Sequence, residues 1–190
     1  MGESSQGLRG QGRLNESLRL TQRSSIETRV NIREAQPTDA SAVCGIYNHY
    51  VLHTTITFEQ EPVSAPDMAG RIAEVGATHP WLVAETEGGV IGYAYATRWR
   101  SRAAYDRTVE STIYVSSDAL GAGIGYPLYT ALLEALRRRA LHAVVGCIAL
   151  PNPGSVAFHE KCGFLKVAHF PQVGRKFDQW VDVGFWQLLL

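Results

Sequence analysis

The sequence predicts an α/β (α+β) domain with a mixed central sheet flanked by helices. Three observations carry this. Segments of strand and helix character run in the order strand, two helices, three strands, helix, strand, helix, two strands, an order that mixes hairpins with helical crossovers. Ala143 to Leu150 is an uninterrupted apolar run, as expected of a strand covered on both faces. Ser111 to Arg139 reads as a strand, a glycine-rich loop and a helix in immediate succession. Open glycine backbone ahead of free N–H groups at a helix start suits an anion, usually phosphate, and equally suits a tight turn with no ligand.

Composition narrows the class. At 190 residues, 45% hydrophobic and 19% charged, the chain has the make-up of one globular domain with a real core. Its 18 basic residues balance its 18 acidic ones, so charge gives no support for nucleic acid or an anionic membrane as a partner. No apolar run reaches membrane-spanning length. Cys44, Cys147 and Cys162 are scattered and odd in number, which suits a reducing, cytoplasmic setting better than disulfides. The cysteines are too widely spaced to form a ligand set, so no metal is expected. Residues 1–28 are rich in Gly, Ser, Gln and Arg and lack aromatic residues. They read as a disordered extension ahead of a domain at 29–190. An organelle-targeting reading of that segment is opposed by Glu3, Glu16 and Glu27.

The elements follow in order. Arg29 to Ala35 alternates as a strand, and Thr38 or Asp39 can cap a helix to about Tyr50. A threonine-rich stretch leads to Phe58, and Pro62, Ser64 and Pro66 precede a helix over about Asp67 to Ala77. Trp81–Thr86 and Val90–Thr97 are strands joined by a Glu87-Gly88-Gly89 turn. Thr108 to Val115 is the next strand. Gly121, Ala122, Gly123, Ile124 and Gly125 form the loop, and Pro127 falls in the first turn of the following helix. Leu128, Ala131, Leu132, Ala135 and Leu136 give that helix an apolar face, and Arg137 to Arg139 suit its C-terminal end. After Ala143–Leu150, Ser155 can cap a short helix to about Lys161. Phe164–Phe170 and Asp178–Leu189 are expected to pair as a final hairpin.

Three features beyond the loop bear on chemistry. Glu110 puts a carboxylate in a strand that otherwise reads as core; it is either an outward-facing position or a general base. Arg98, Arg100, Arg102 and Arg107 are interleaved with Trp99 and Tyr105, forming either a solvated basic loop or a bidentate anion grip. Asn152, Ser155 and His159 follow a strand end; by themselves they are equally a cap and an ordinary histidine.

Taken together, Thr112 to Leu133, Leu150-Pro151-Asn152 and Ser155 to Phe164 resemble the core of the GNAT acetyltransferases. The chain is most similar to their phosphinothricin N-acetyltransferase family, over about Asn31 to Leu188. The resemblance adds Asn48-His49-Tyr50, Pro80 to Glu85, Ala104-Tyr105-Asp106, Glu110-Ser111-Thr112 and Trp180 to Trp186. It implies a twisted mixed sheet whose two middle parallel strands, Glu110–Val115 and Ala143–Leu150, splay apart. It implies acetyl-CoA as co-substrate, its pantetheine along Ile113, Tyr114 and Val115, its pyrophosphate on Gly121–Gly125 and Tyr126, with Asn152 and Ser155 also in contact. Leu120 stands where the superfamily loop usually carries Arg or Gln.

The resemblance further implies a small amino acid analogue as acceptor, held by Phe58, Arg100, Arg102 and Tyr105, and a homodimer. Glu110 would take the proton from the acceptor's ammonium, since only the free amine is nucleophilic. Strand N–H near Tyr114 would stabilise the oxyanion, and His159 matches a histidine of the family's active site. No acyl-enzyme is needed, so Cys147 and Cys162 read as structural. Open alternatives are methionine sulfone or sulfoximine or another amino acid as acceptor, a protein N-terminus, and a non-catalytic CoA-binding module.

Overall fold

In a computed structural model the structure describes residues 30–190; the extension read into residues 1–28 lies outside the described residues. Seven strands form one sheet in the order β1-β2-β3-β4-β5-β7-β6. They are β1 Asn31–Glu34, β2 Trp81–Thr86, β3 Gly89–Arg98, β4 Thr108–Val115, β5 Ala143–Leu150, β6 Leu165–Lys176 and β7 Gln179–Leu189. The helices are α1 Ala40–His53, α2 Ala65–Gly76, α3 Gly125–Arg138 and α4 Pro153–Lys161. Neighbouring strands are antiparallel except β4 and β5. Those two are joined through the glycine loop and α3, and only a crossover of that length can return a strand in parallel.

Side-chain periodicity assigns the faces. On β4, Tyr114 packs against the rings of Tyr93 of β3 and of Tyr47 and Tyr50 of α1, so Glu110, Thr112 and Tyr114 share the α1 face. Ser111 turns to the opposite face, where its hydroxyl meets the Tyr129 hydroxyl of α3 at 2.7 Å. On α3, Leu128, Leu132 and Leu136 are fully buried, each contributing about 1.5–3 kcal/mol of burial. Tyr129 and Leu133 join them, a wider stripe than the sequence face.

Three local expectations change. α4 is capped by Asn152, whose side chain accepts from the Ser155 N–H at 3.1 Å, because Pro153 fits the first helical position and starts the helix earlier than a Ser155 cap would. Asp39 makes no side-chain cap to α1; its oxygens are taken by Arg33 at 2.7 and 2.9 Å and by the Gln36 N–H. β6 runs on to Lys176, past the predicted end at Phe170, through a register shift between Phe170 and Gly174. Pro171 is tolerated there because β6 is an edge strand, with no partner to miss its N–H. The hairpin turns on Phe177-Asp178, both at positive φ, as a two-residue turn matching strand twist requires.

Candidate active site

β4 and β5 pair only from Thr108↔Ala143 to Ser111↔Gly146. Beyond that, β4 stays with β3 as far as Val115 and β5 stays with β7 as far as Leu150. The sheet therefore opens into a slot between Thr112–Val115 and Cys147–Leu150. The bond from Ser116 N–H to Ile91 C=O and that from Trp99 N–H to Thr108 C=O fix the strand parity. Even-numbered residues of β4 turn their amides to β3, and Ile113 and Val115 turn theirs into the slot. The Val115 carbonyl accepts from the Tyr50 hydroxyl at 2.5 Å. The expected oxyanion donor near Tyr114 is thus not the Tyr114 N–H, which belongs to the β3 ladder; the N–H groups on the slot edge are those of Ile113 and Val115. Two facing strand edges this far apart accept an extended chain that carries amides of its own.

The glycine loop lies at the end of the β4 edge. Gly121 and Gly123 have φ of +78° and +80°, the region that side chains disfavour, and the loop is exposed up to Ile124, whose side chain anchors it in the core at 5% exposure. Gly125 starts α3 against the Phe158 ring, 3.3 Å from where a Cβ would sit. Ala122 N–H bonds back to Ala119. Among the described residues no backbone carbonyl outside α3 accepts from Gly121, Gly123, Ile124, Gly125 or Tyr126. Those amides at a helix start make an anion cradle. Leu120 is 62% exposed and adds no charge to it.

A cavity of about 270 Å³ fills the slot and is lined by residues from both sheet faces. It gathers Glu110, Ile113, Tyr114, Asn152, Ser155, His159 and Phe58, seven of the residues named from the sequence. Burial pushes the Glu110 carboxyl up, and the Arg100 charge opposes this. A carboxyl held in that range is a better proton acceptor near neutrality than an exposed one.

His159 is on the other face. Its Nδ1 donates to the Ser155 carbonyl at 2.8 Å, leaving Nε2 as the acceptor nitrogen. The ring packs on Gly146, which leaves no room for a side chain: a Cβ there would meet His159 at 2.9 Å. Gly146 is opposite Ser111, so Glu110 and His159 flank the slot from opposite faces. Burial lowers the His159 pKa, and the Ser155 bond works against it.

The acceptor residues are divided. Phe58 lines the slot cavity. Arg100, lying over the Trp99 ring at 4.8 Å, and Tyr105 line an adjoining apolar recess of about 350 Å³ with Val145 and Phe185. That recess continues the Glu110 face of the sheet, since Val145 is opposite Glu110. Arg102 lines neither space, and Arg98 is taken by Asp106.

Among the cavity residues that sequence reasoning did not assign to the site are Tyr47, Thr57, Tyr95 and Cys147. Cys147, read as structural, opens onto the cavity on the face of Glu110; burial and that carboxylate push its thiol up to about 11, which keeps it the neutral thiol near neutrality. It shares the Glu110 face because Val145, two residues earlier on β5, is opposite Glu110, a register set by the pairing of the two strands. Thr57 and Tyr47, bonded at 2.7 Å, meet only through the tertiary fold.

A slot between parallel strands, an amide cradle and a raised carboxyl define an acyltransferase-like site. The family comparison agrees. Residues 32–184 match the acetyltransferase (GNAT) domain, and the chain belongs to that family. It is 44% identical over 158 residues to the phosphinothricin N-acetyltransferase of Streptomyces viridochromogenes, covering 83% of this chain and 86% of that one. It is 38% identical over 165 residues to the L-methionine sulfoximine/L-methionine sulfone acetyltransferase of Salmonella typhimurium, covering 85% and 95%. Among solved structures it resembles a phosphinothricin acetyltransferase from Sinorhizobium meliloti in complex with acetyl-CoA, with a TM-score of 0.81, 35% identity and coverage of 85% and 88%. Among the described residues no helix is long and apolar enough to cross a membrane.

Proposed function

We propose that this chain transfers the acetyl group of acetyl-CoA to the amino group of phosphinothricin or a close amino acid analogue. The observation that carries the reading is the slot itself. Its facing amide edges end at one side on the glycine cradle and at the other on Glu110. The relatives' activities support the choice of acceptor.

The residues fit acetyl-CoA. Ile113, Tyr114 and Val115 line an extended amide-bearing arm, and Gly121 to Tyr126 offer N–H groups to a diphosphate. Asn152 and Ser155 stand at the far wall. Acetyl-CoA supplies an activated thioester acyl group. Glu110 takes the proton from the acceptor's ammonium and frees the nucleophilic lone pair. The slot-facing N–H groups of Ile113 and Val115 receive the negative charge that develops on the acyl oxygen. His159 holds a neutral imidazole at the opposite mouth, where only Nε2 can accept a proton. Arg100 and Arg102 supply guanidinium groups for the acceptor's anionic groups, and Phe58 and Tyr105 wall it. The chain works as a homodimer in the cytoplasm, where acetylation detoxifies the analogue.

Methionine sulfone and sulfoximine form the second reading, favoured by the 38% identical relative. Thiol release from acetyl-CoA, measured with phosphinothricin, both methionine analogues and plain amino acids, separates them. Turnover of phosphinothricin with the highest kcat/KM is expected; none with phosphinothricin refutes the first choice, and none with any member of the panel leaves a protein N-terminus as acceptor or a non-catalytic CoA-binding module.

A further inference from the structure

We infer that the tip of the β6–β7 hairpin sets the acceptor side of the cavity, with Lys176 as a positioning residue acting through Thr57 and Phe58. This rests on the reading that the Glu110 cavity receives the amine.

The hairpin meets the loop between α1 and α2 at two points. Lys176 is 2% exposed, and its Nζ donates to the Thr57 carbonyl at 2.8 Å. Two residues earlier on the same strand, Gly174 lies directly under the Phe58 ring. A Cβ at Gly174 would stand 2.2 Å from Phe58 Cζ and 2.4 Å from Cε2, so any side chain there displaces the Phe58 ring. Thr57 and Phe58 both line the cavity that Glu110 lines.

Filling the volume does not explain Lys176. An apolar side chain would occupy the same space without desolvating an ammonium. No carboxylate neutralises it within ion-pair distance among the described residues; Glu59, the nearest acidic influence, is held by Arg71 at 2.6 and 3.2 Å. The ammonium supplies a directed donor, with the Phe177 ring 5.1 Å from Nζ. The carbonyl it grips belongs to the residue whose hydroxyl is bonded to the Tyr47 hydroxyl at 2.7 Å. Thr57 is thereby fixed at both ends, and Phe58 follows it in sequence.

The register of the hairpin decides which residues perform this. The shift between Phe170 and Gly174 and the Phe177-Asp178 turn bring Gly174 and Lys176 to the loop. The amide edge of Ile113 and Val115 and the glycine cradle are on other elements. A change at the hairpin tip is therefore felt by the acceptor and not by acetyl-CoA.

Lys176→Met and Gly174→Ala test this by steady-state kinetics with L-phosphinothricin, varying each substrate in turn, alongside urea midpoints. Each variant is expected to raise KM for the acceptor about tenfold, the scale of losing one charged hydrogen bond or displacing a wall, with KM for acetyl-CoA unchanged. A purely structural role would lower the urea midpoint and leave both KM values unmoved, or shift them together; either result overturns the inference. If one variant fails to fold, the other decides. Wild-type protein that acetylates no member of the analogue panel overturns the cavity reading and this inference with it. Normal wild-type turnover with an unmoved acceptor KM overturns this inference alone.

Discussion

Replacing Glu110 by Gln keeps the side chain's shape and removes its capacity to take a proton. A positioned base contributes about 10²–10⁴ in rate, about 2.7–5.4 kcal/mol of barrier. kcat is expected to fall by that factor, with KM for acetyl-CoA unchanged, since the cradle and slot edge are untouched. The structure adds a second readout of opposite sign. Burial raises the Glu110 pKa and only the Arg100 charge counters it. A carboxyl whose pKa is higher folded than unfolded contributes most to stability below its unfolded pKa, and that contribution is lost as pH rises through the folded pKa. Gln carries no such loss. The variant should therefore have a higher urea midpoint than wild type at about pH 7, and the difference should close toward about pH 4, the unfolded carboxylate range. In thiol-release assays the wild-type kcat/KM should climb with pH through the raised Glu110 pKa, and that limb should vanish in the variant. Arg100→Met, which removes the charge holding the pKa down, should move the limb to higher pH. A Glu110→Gln protein that acetylates at the wild-type rate near neutrality, or keeps the limb, refutes the assignment.

Two further predictions concern glycines. Gly146→Ala places a Cβ 2.9 Å from His159 Cδ2, and overpacking of that kind costs about 1–3 kcal/mol. The urea midpoint should drop accordingly, and adding His159→Ala should recover part of the loss; strictly additive effects would show that the two do not touch. Gly123→Val meets open space but forces a branched residue to φ +80°, which costs about 1–2 kcal/mol. If the loop grips the diphosphate of acetyl-CoA, relief of that strain moves the amides and KM for acetyl-CoA rises about tenfold, with the acceptor KM unmoved; an unchanged acetyl-CoA KM counts against the cradle.

Much of this protein is legible along the chain. Element order, the crossover through Gly121–Gly125 and α3, the apolar run of β5 and the odd carboxylate Glu110 are local patterns, governed by periodicity and by what each residue costs to bury. The resemblance to the GNAT family adds the splay of β4 from β5. Local chemistry misleads where two signals compete. Ser155 looked like the cap of α4, and Asn152 takes that place because Pro153 begins the helix. The strand read as ending at Phe170 continues through Pro171, which an edge strand tolerates.

What the chain by itself determines, then, is the strand–loop–helix unit, with the Glu110 carboxylate on its strand and the open glycine backbone of its loop, because these rest on residues adjacent in sequence. Only the tertiary structure decides where the slot begins, at Ser111↔Gly146, and that Ile113 and Val115 rather than Tyr114 face it. It alone separates Glu110 from His159 across the sheet, divides Arg100 and Tyr105 from Phe58, and brings Lys176 to Thr57 across 119 positions of chain. The physical reason is register. A shift of one residue turns every side chain to the other face of a strand, and register is set by pairing between strands, not by the residues of any one of them.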